Sequence, residues 1–119
     1  MLKGKQILIV EDEWLLADHI GAIVEQAGGD VVGPAASVAE AMTLLARDAR
    51  LPDAATLNVK LDDQLSYDVA DRLTELGVPY VFISANEIRG MPERFHIQPL
   101  LAKPFTNPQV VTALAGLLA

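Results

Sequence analysis

The chain has 119 residues, 51% of them hydrophobic, enough for one domain with a buried core and too few for two. Its formal charge of −7, with only nine Lys and Arg, argues against nucleic acid as a direct partner, because phosphate backbones reward clustered cations. Cysteine is absent, which excludes disulfides and thiolate metal sites, and the apolar run near the N-terminus stops at Glu11. That run is too short for a signal segment or a membrane span, so a cytoplasmic protein without membrane contact is the expectation.

Gln6-Ile7-Leu8-Ile9-Val10 is an apolar run closed by Glu11-Asp12-Glu13 and reads as a buried first strand ending in three acids. From Trp14 to about Ala27, Leu16, Ile20, Ile23, Val24 and Ala27 recur at helical spacing, and Gly28-Gly29 stops the helix. Asp30 to Pro34 forms a short second strand. Ser37 and Glu40 form a capping box that starts a second helix, expected to run to about Ala49. The stretch Ala54 to Leu61 holds a third strand, rich in apolar residues and ending at the polar Asn58. A third helix starts near Ser66, turns Val69, Ala70 and Leu73 inward and stops at Gly77. Tyr80 to Ile83 is a fourth strand that leads to Ser84-Ala85. The segment from Asn86 to Gln98 should hold a helix if the alternation continued, yet Gly90 and Pro92 reduce it to one weak or broken turn. Pro99 to Ala102 is a fifth strand, and Asn107 as cap with Pro108 behind it opens a last helix.

Strands alternating with helices at this length predict an α/β domain with one parallel sheet covered on both faces. In such a sheet the carboxyl ends of the strands share one edge, where ligands bind. Glu11, Asp12, Asn58, Ser84 and Lys103 all fall at strand ends and should converge on one cleft. The two carboxylates, the Asn58 amide oxygen and a backbone carbonyl such as that of Lys60 are hard oxygen ligands suited to Mg²⁺. A hydroxyl and an ammonium opposite them can hold phosphoryl oxygens.

These residues carry a resemblance. Val10-Glu11-Asp12-Glu13, Leu57-Asn58-Val59-Lys60-Leu61, Ser84-Ala85 and Lys103-Pro104-Phe105, in this order and spacing, resemble the receiver domain of response regulators in two-component signalling, over the full length of the chain. The phrasing around the third strand and in Phe82-Ile83-Ser84-Ala85 looks most like stand-alone receivers of the alphaproteobacterial type. The resemblance implies a flavodoxin-like (βα)5 fold with strand order 2-1-3-4-5, a single receiver domain without an output domain, and no enzyme activity. It further implies that Glu11 and Asp12 bind Mg²⁺, that Ser84 is the switch hydroxyl, that Lys103 contacts the phosphoryl group, and that the Lys103-Pro104 bond is cis.

The departures from that pattern matter more than the matches. Receivers carry an aspartate phosphoacceptor where this chain has Asn58. A neutral amide is a poor nucleophile and forms no acyl phosphate. Loss of that charge also weakens Mg²⁺, since each unit-charge interaction at about 4 Å is worth roughly 1 to 4 kcal/mol; Lys60 is a candidate to replace the metal by pairing with an acid. Leu100 stands where receivers place a switching aromatic residue. The expected function is therefore a signalling module that binds a histidine kinase or another signalling protein in a fixed state. The alternative is an altered form of a protein whose natural residue is Asp, phosphorylated by a histidine kinase.

From Pro108 to Ala119 the last helix bears no charge, and Val110, Val111, Leu114, Leu117 and Leu118 form a stripe that could face the core or a second copy of the chain in a homodimer. His19 and His96 lack a second histidine at ligand spacing and read as structural. Trp14, close to the acidic edge, is either a lid for the cleft or exposed surface. A rival function is a metal-dependent phosphoesterase built on Glu11, Glu13, Asp62 and Asp63. A dinucleotide fold is disfavoured because acids stand where the turn after the first strand would need glycines.

Overall fold

A computed structural model of the chain describes residues 1–47, 50–85 and 90–119. Five parallel strands form the central sheet: β1 (Gln6–Val10), β2 (Asp30–Ala35), β3 (Ala54–Asn58), β6 (Tyr80–Ser84) and β7 (Leu100–Ala102), in the order β2-β1-β3-β6-β7. This is the topology that the resemblance implies. The third strand ends at Asn58, as expected; beyond it the chain leaves the sheet and makes a small antiparallel hairpin, β4 (Lys60–Leu61) with β5 (Gln64–Leu65). Asp62 turns this hairpin at φ 58°, a left-handed conformation that Asp tolerates better than most residues.

Side-chain alternation along the strands separates two cores. Ile7, Ile9, Ala54, Val81 and Ile83 face helix α1 (Trp14–Gln26) and helix α4 (Asn107–Leu118). Leu8, Val10, Ala55, Leu57, Tyr80 and Phe82 face helix α2 (Val38–Ala46) and helix α3 (Tyr67–Glu75). Helix α1 ends as its glycines predict: the amides of Gly28 and Gly29 bond back to the carbonyls of Glu25 and Val24, with Gly28 at φ 94°. Helix α2 begins at Ser37, whose hydroxyl accepts from the Glu40 amide at 3.1 Å, but the Glu40 carboxylate takes the Ala36 amide rather than that of the cap. The helix ends at Ala46, short of the expected Ala49, because the backbone of Arg47 is already extended; Asp48 and Ala49 lie outside the described residues.

One expectation for the C-terminal third needs correction. The cap of α4 is Thr106, not Asn107: its hydroxyl accepts from Gln109 N, and the Gln109 side chain accepts from Thr106 N at 2.8 Å. Thr106 fits because its backbone is extended, whereas Asn107 already lies in the first turn. The apolar stripe of α4 is turned inward. Val110 and Leu114 are fully buried, and Val111, Leu117 and Leu118 pack half-buried on the same core.

Of the segment expected to break the alternation, residues 86–89 lie outside the described ones. Within the remainder a short 3₁₀ turn forms at Glu93–Phe95, in keeping with Gly90 and Pro92. Phe95 is buried there against the α2/α3 core. Among the described residues no helix is long and apolar enough to cross a membrane.

Candidate functional site

The carboxyl edge of the sheet is held by parallel-ladder hydrogen bonds that reach just past each strand. Glu11 N donates to Ala35 O at 2.9 Å, Val59 N to Ile83 O at 3.0 Å, and Lys103 N to Ser84 O at 2.9 Å. The backbones flanking the expected site residues are thereby fixed relative to one another. Between them lies a cleft of about 340 Å³ lined by Glu11, Asp12, Asn58, Lys60, Asp62 and Lys103, among others. Five of the six predicted site residues meet in it. Ser84 is buried at the end of β6, next to this lining but not part of it, while Ala85 does line the cleft.

Asn58 is 5% exposed, and its Nδ2 donates to the Lys60 carbonyl at 2.6 Å. This bond decides the orientation of the amide, since the opposite one would set two oxygens against each other. Oδ1 is buried with no hydrogen-bond partner. The amide thus occupies the carbonyl expected to serve a metal. An aspartate could not make this contact, because an ionised carboxylate has no hydrogen to donate.

Glu11 is almost fully buried, and its carboxyl is pushed up from 4.5 to about 7. Burial is the main cause; the Glu13 amide, which donates to Oε2 at 3.1 Å, and the charge of Lys103 oppose it, while a shared carboxyl hydrogen bond with Asp12 adds to it. Lys103 Nζ stands 3.9 Å from Oε1, within ion-pair range but too far to hydrogen bond, so it does not offset the lost hydration. Asp12 responds in the opposite sense. Burial would raise it too, but the Asp62 amide at 2.8 Å, the Glu11 carboxyl and Lys103 hold it below the usual carboxylate range. Asp12 is therefore the ionised member of the pair and Glu11 the member that keeps its proton near neutrality.

The cleft supplies an incomplete set of metal ligands. Among the described residues no group of three or more acids or histidines converges in a way that could hold a metal ion. Asp12 and the unpartnered Oε1 of Glu11 and Oδ1 of Asn58 are available oxygens. The Lys60 carbonyl, however, is engaged by the amide, so the residues as arranged do not fit Mg²⁺ without a turn of the Asn58 side chain. The expected pairing of Lys60 with an acid does not form: its side chain is exposed, and the lysine that approaches an acid is Lys103. Of the four acids of the rival phosphoesterase reading, Glu11, Glu13 and Asp62 border the cleft and Asp63 does not; Glu13, Asp62 and Asp63 are exposed, Asp62 contributes its amide, and among the described residues the acids form no group of three that could hold a metal ion.

That amide is a functional group that residue types alone do not reveal. Its signal lies in Asp62-Asp63-Gln64, a polar run between Leu61 and Leu65 that suits a hairpin turn. Trp14 is 74% exposed and does not close the cleft. It lines a neighbouring groove of about 540 Å³, together with Glu11, Asp12, Asp18, Glu25 and Val31. His96 is held by the Met91 carbonyl at 2.8 Å, a structural contact. The Lys103-Pro104 bond is cis, as the resemblance implies, and so is Gly33-Pro34, for which the sequence carries no signal.

No protein-family model matches the chain. The solution structure of SdrG from Sphingomonas melonis Fr1 is similar to it with a TM-score of 0.83 and 37% identity, over 99% of this chain and 98% of that one. The receiver domain of the PhyR response regulator of Erythrobacter litoralis, also a solution structure, superposes with a TM-score of 0.83 at 28% identity, over 98% of this chain and 91% of that one. Among curated proteins, the phyllosphere-induced regulator PhyR of Methylorubrum extorquens is 35% identical over 121 aligned positions, which cover 95% of this chain. The chain spans 43% of that relative's length.

Proposed function

We propose that this chain, which belongs to the receiver domains of response regulators, acts in two-component signalling as a module whose acceptor position is occupied by the Asn58 amide, so that it binds its partner in one fixed state. One observation carries this reading: the hydrogen bond from Asn58 Nδ2 to the Lys60 carbonyl, inside a cleft that also presents Asp12, Glu11 and Lys103. The amide lacks the nucleophilic oxygen that phosphoryl transfer needs. It also joins the strand end to the hairpin, so no phosphoryl group is required to keep that corner in place. Lys103 in the cleft and Ser84, buried at the end of β6 beside it, are the candidates for the phosphoryl-contacting lysine and the switch hydroxyl.

The partner is a histidine kinase or another signalling protein, met in the cytoplasm. Support for a docking surface comes from α1, where Trp14 and Leu15 are exposed beside a groove whose charged lining is acidic, matching a basic, partly apolar partner surface. A homodimer through α4 has weaker support, because the larger side chains of that helix are at least half-buried in its own core.

The unpartnered oxygens of Glu11 and Asn58 favour a second reading: the remainder of an acceptor site persists, and Asp at position 58 would complete it. Incubation with acetyl phosphate and Mg²⁺, followed by intact-mass measurement and peptide mapping, tests both. The chain itself should gain no phosphoryl group, while Asn58→Asp should gain one at residue 58 and bind Mg²⁺ at least about fivefold more tightly, from an added charge interaction of roughly 1 to 4 kcal/mol. A phosphoryl group on the unaltered chain, at Asp62 or Asp63 for instance, would overturn the fixed-state reading; an inert Asn58→Asp would remove the second.

A further inference from the structure

Strand β7 carries no aromatic residue, yet an aromatic side chain occupies the space next to it. Leu100 is the register partner of Phe82, and the Phe95 ring, coming from the 3₁₀ turn, packs edge-on against Phe82 at 5.4 Å. The same ring stacks on Tyr67 at 5.1 Å with 25° between planes. From outside, Arg94 lies 4.3 Å over the Phe95 ring and makes a bidentate pair with Asp71 of α3, at 3.1 and 2.9 Å. The turn is thus fixed to α3 through one ring and one guanidinium.

Tyr67 is the first residue of α3 and follows directly on the hairpin that leaves the candidate site. That hairpin is tied at three points. Asn58 Nδ2 holds the Lys60 carbonyl, the Asp12 carboxylate holds the Asp62 amide, and Ser66 N closes the base on the Val59 carbonyl at 2.9 Å. A change at residue 58 that breaks the first tie leaves the hairpin, one residue ahead of Tyr67, held by the other two alone.

We propose that Phe95 is the positioning residue through which the state of Asn58 is passed to the segment Met91–Gln98, in place of an aromatic residue on β7. Spatial adjacency alone does not establish coupling, so the claim is that the two sites share one free energy, and a double-mutant comparison reads it. It requires no phosphoryl transfer and stands or falls separately from the acetyl phosphate experiment.

The test is amide hydrogen exchange by NMR on the full chain. It compares the amides of Phe95, His96 and Gln98, which bond to Pro92 O, Glu93 O and Phe95 O, with the α1 amides, which report global opening. Asn58→Ala removes the tie to Lys60. Protection at the three turn amides should fall about fivefold or more relative to α1, the scale of a modest coupling. In a Phe95→Leu background, which keeps an apolar side chain but no ring, Asn58→Ala should have no further effect on them. Tyr67→Leu breaks the same link from the half-exposed side and should behave alike, which guards against a Phe95 variant that folds poorly. An undiminished fall in the ring-less backgrounds, or no fall with Asn58→Ala alone, would overturn the proposal.

Discussion

The two faces of the sheet solve the same packing problem with different means. Under α1 and α4 the buried core is aliphatic: Ile7, Ile9, Ile20, Val24, Val81, Ile83, Val110 and Leu114 interdigitate beneath two regular helices. On the opposite face α2 and α3 cover only part of the sheet, and the remaining place is taken by a 3₁₀ turn that has little helix propensity of its own. There the rings of Tyr80, Phe82, Phe95 and Tyr67 form a chain of contacts. The difference teaches that a segment unable to form a regular helix can still be ordered by one buried ring, because a phenyl group combines a large buried surface with edge and face contacts to neighbouring rings. The aliphatic face has its own irregularity at the rim. Continuing the alternation of β1 and β3 past Ile9 and Thr56 puts Glu11 and Asn58 on that side, so its apolar layer ends in the candidate site.

The largest expected effect is on the aromatic face. Phe95→Ala should cost about 3 to 5 kcal/mol in urea unfolding, the usual range for a buried ring, and protection should be lost first at residues 91–98. If the turn were mere decoration, the cost would stay below about 1 kcal/mol. Next comes the rim of the aliphatic face. The Glu11 carboxyl titrates near 7 in the folded chain against an ordinary value of 4.5, so the fold favours its protonated form. That contribution is fully present below pH 4.5 and is lost as pH rises through about 7, a difference on the order of 3 kcal/mol. Without divalent ions, stability should therefore decline across that window, and Glu11→Gln, which stays neutral, should flatten the profile. A profile of the unaltered chain that is flat from pH 4.5 to 7 would place Glu11 in contact with water.

A smaller change of the opposite sign is expected inside the aliphatic layer. Thr56 is 1% exposed and its hydroxyl has no partner, so Thr56→Val, nearly the same shape, should raise stability by about 1 kcal/mol. The smallest effect should come from the aromatic face again: Arg94→Ala removes an exposed pair, so the melting temperature should drop slightly and the drop should shrink in molar salt. A larger loss than that from Phe95→Ala would reverse the ranking of ring over ion pair.

Much of this fold is legible in the order of its residues. The apolar runs at Gln6–Val10 and Tyr80–Ser84 have only one way to be covered on both sides, and Gly28 and Gly77, at φ 94° and 74°, stand where helices stop. Caps are less legible. Thr106 and Asn107 are both good capping residues, and only the extended backbone at Thr106 decides between them. The stripe on α4 is ambiguous for a related reason, since an uncharged helix shows the same periodicity whether it meets a core or a second molecule.

The identity of Asn58 and its place at a strand end follow from sequence alone, and so does the chemical consequence that an amide does not attack phosphorus. Strand-end logic also brings Glu11, Asp12 and Lys103 to the same edge, because parallel strands share a direction. What only the tertiary structure decided is where the hydrogens go. That Asn58 donates to the Lys60 carbonyl, that Asp12 is held by the Asp62 amide, and that Glu11 keeps its proton while Lys103 stays 3.9 Å away depend on distances between residues up to 92 positions apart. The same is true of Phe95 taking the place beside Leu100. Periodicity records which residues leave water, but not which of them meet.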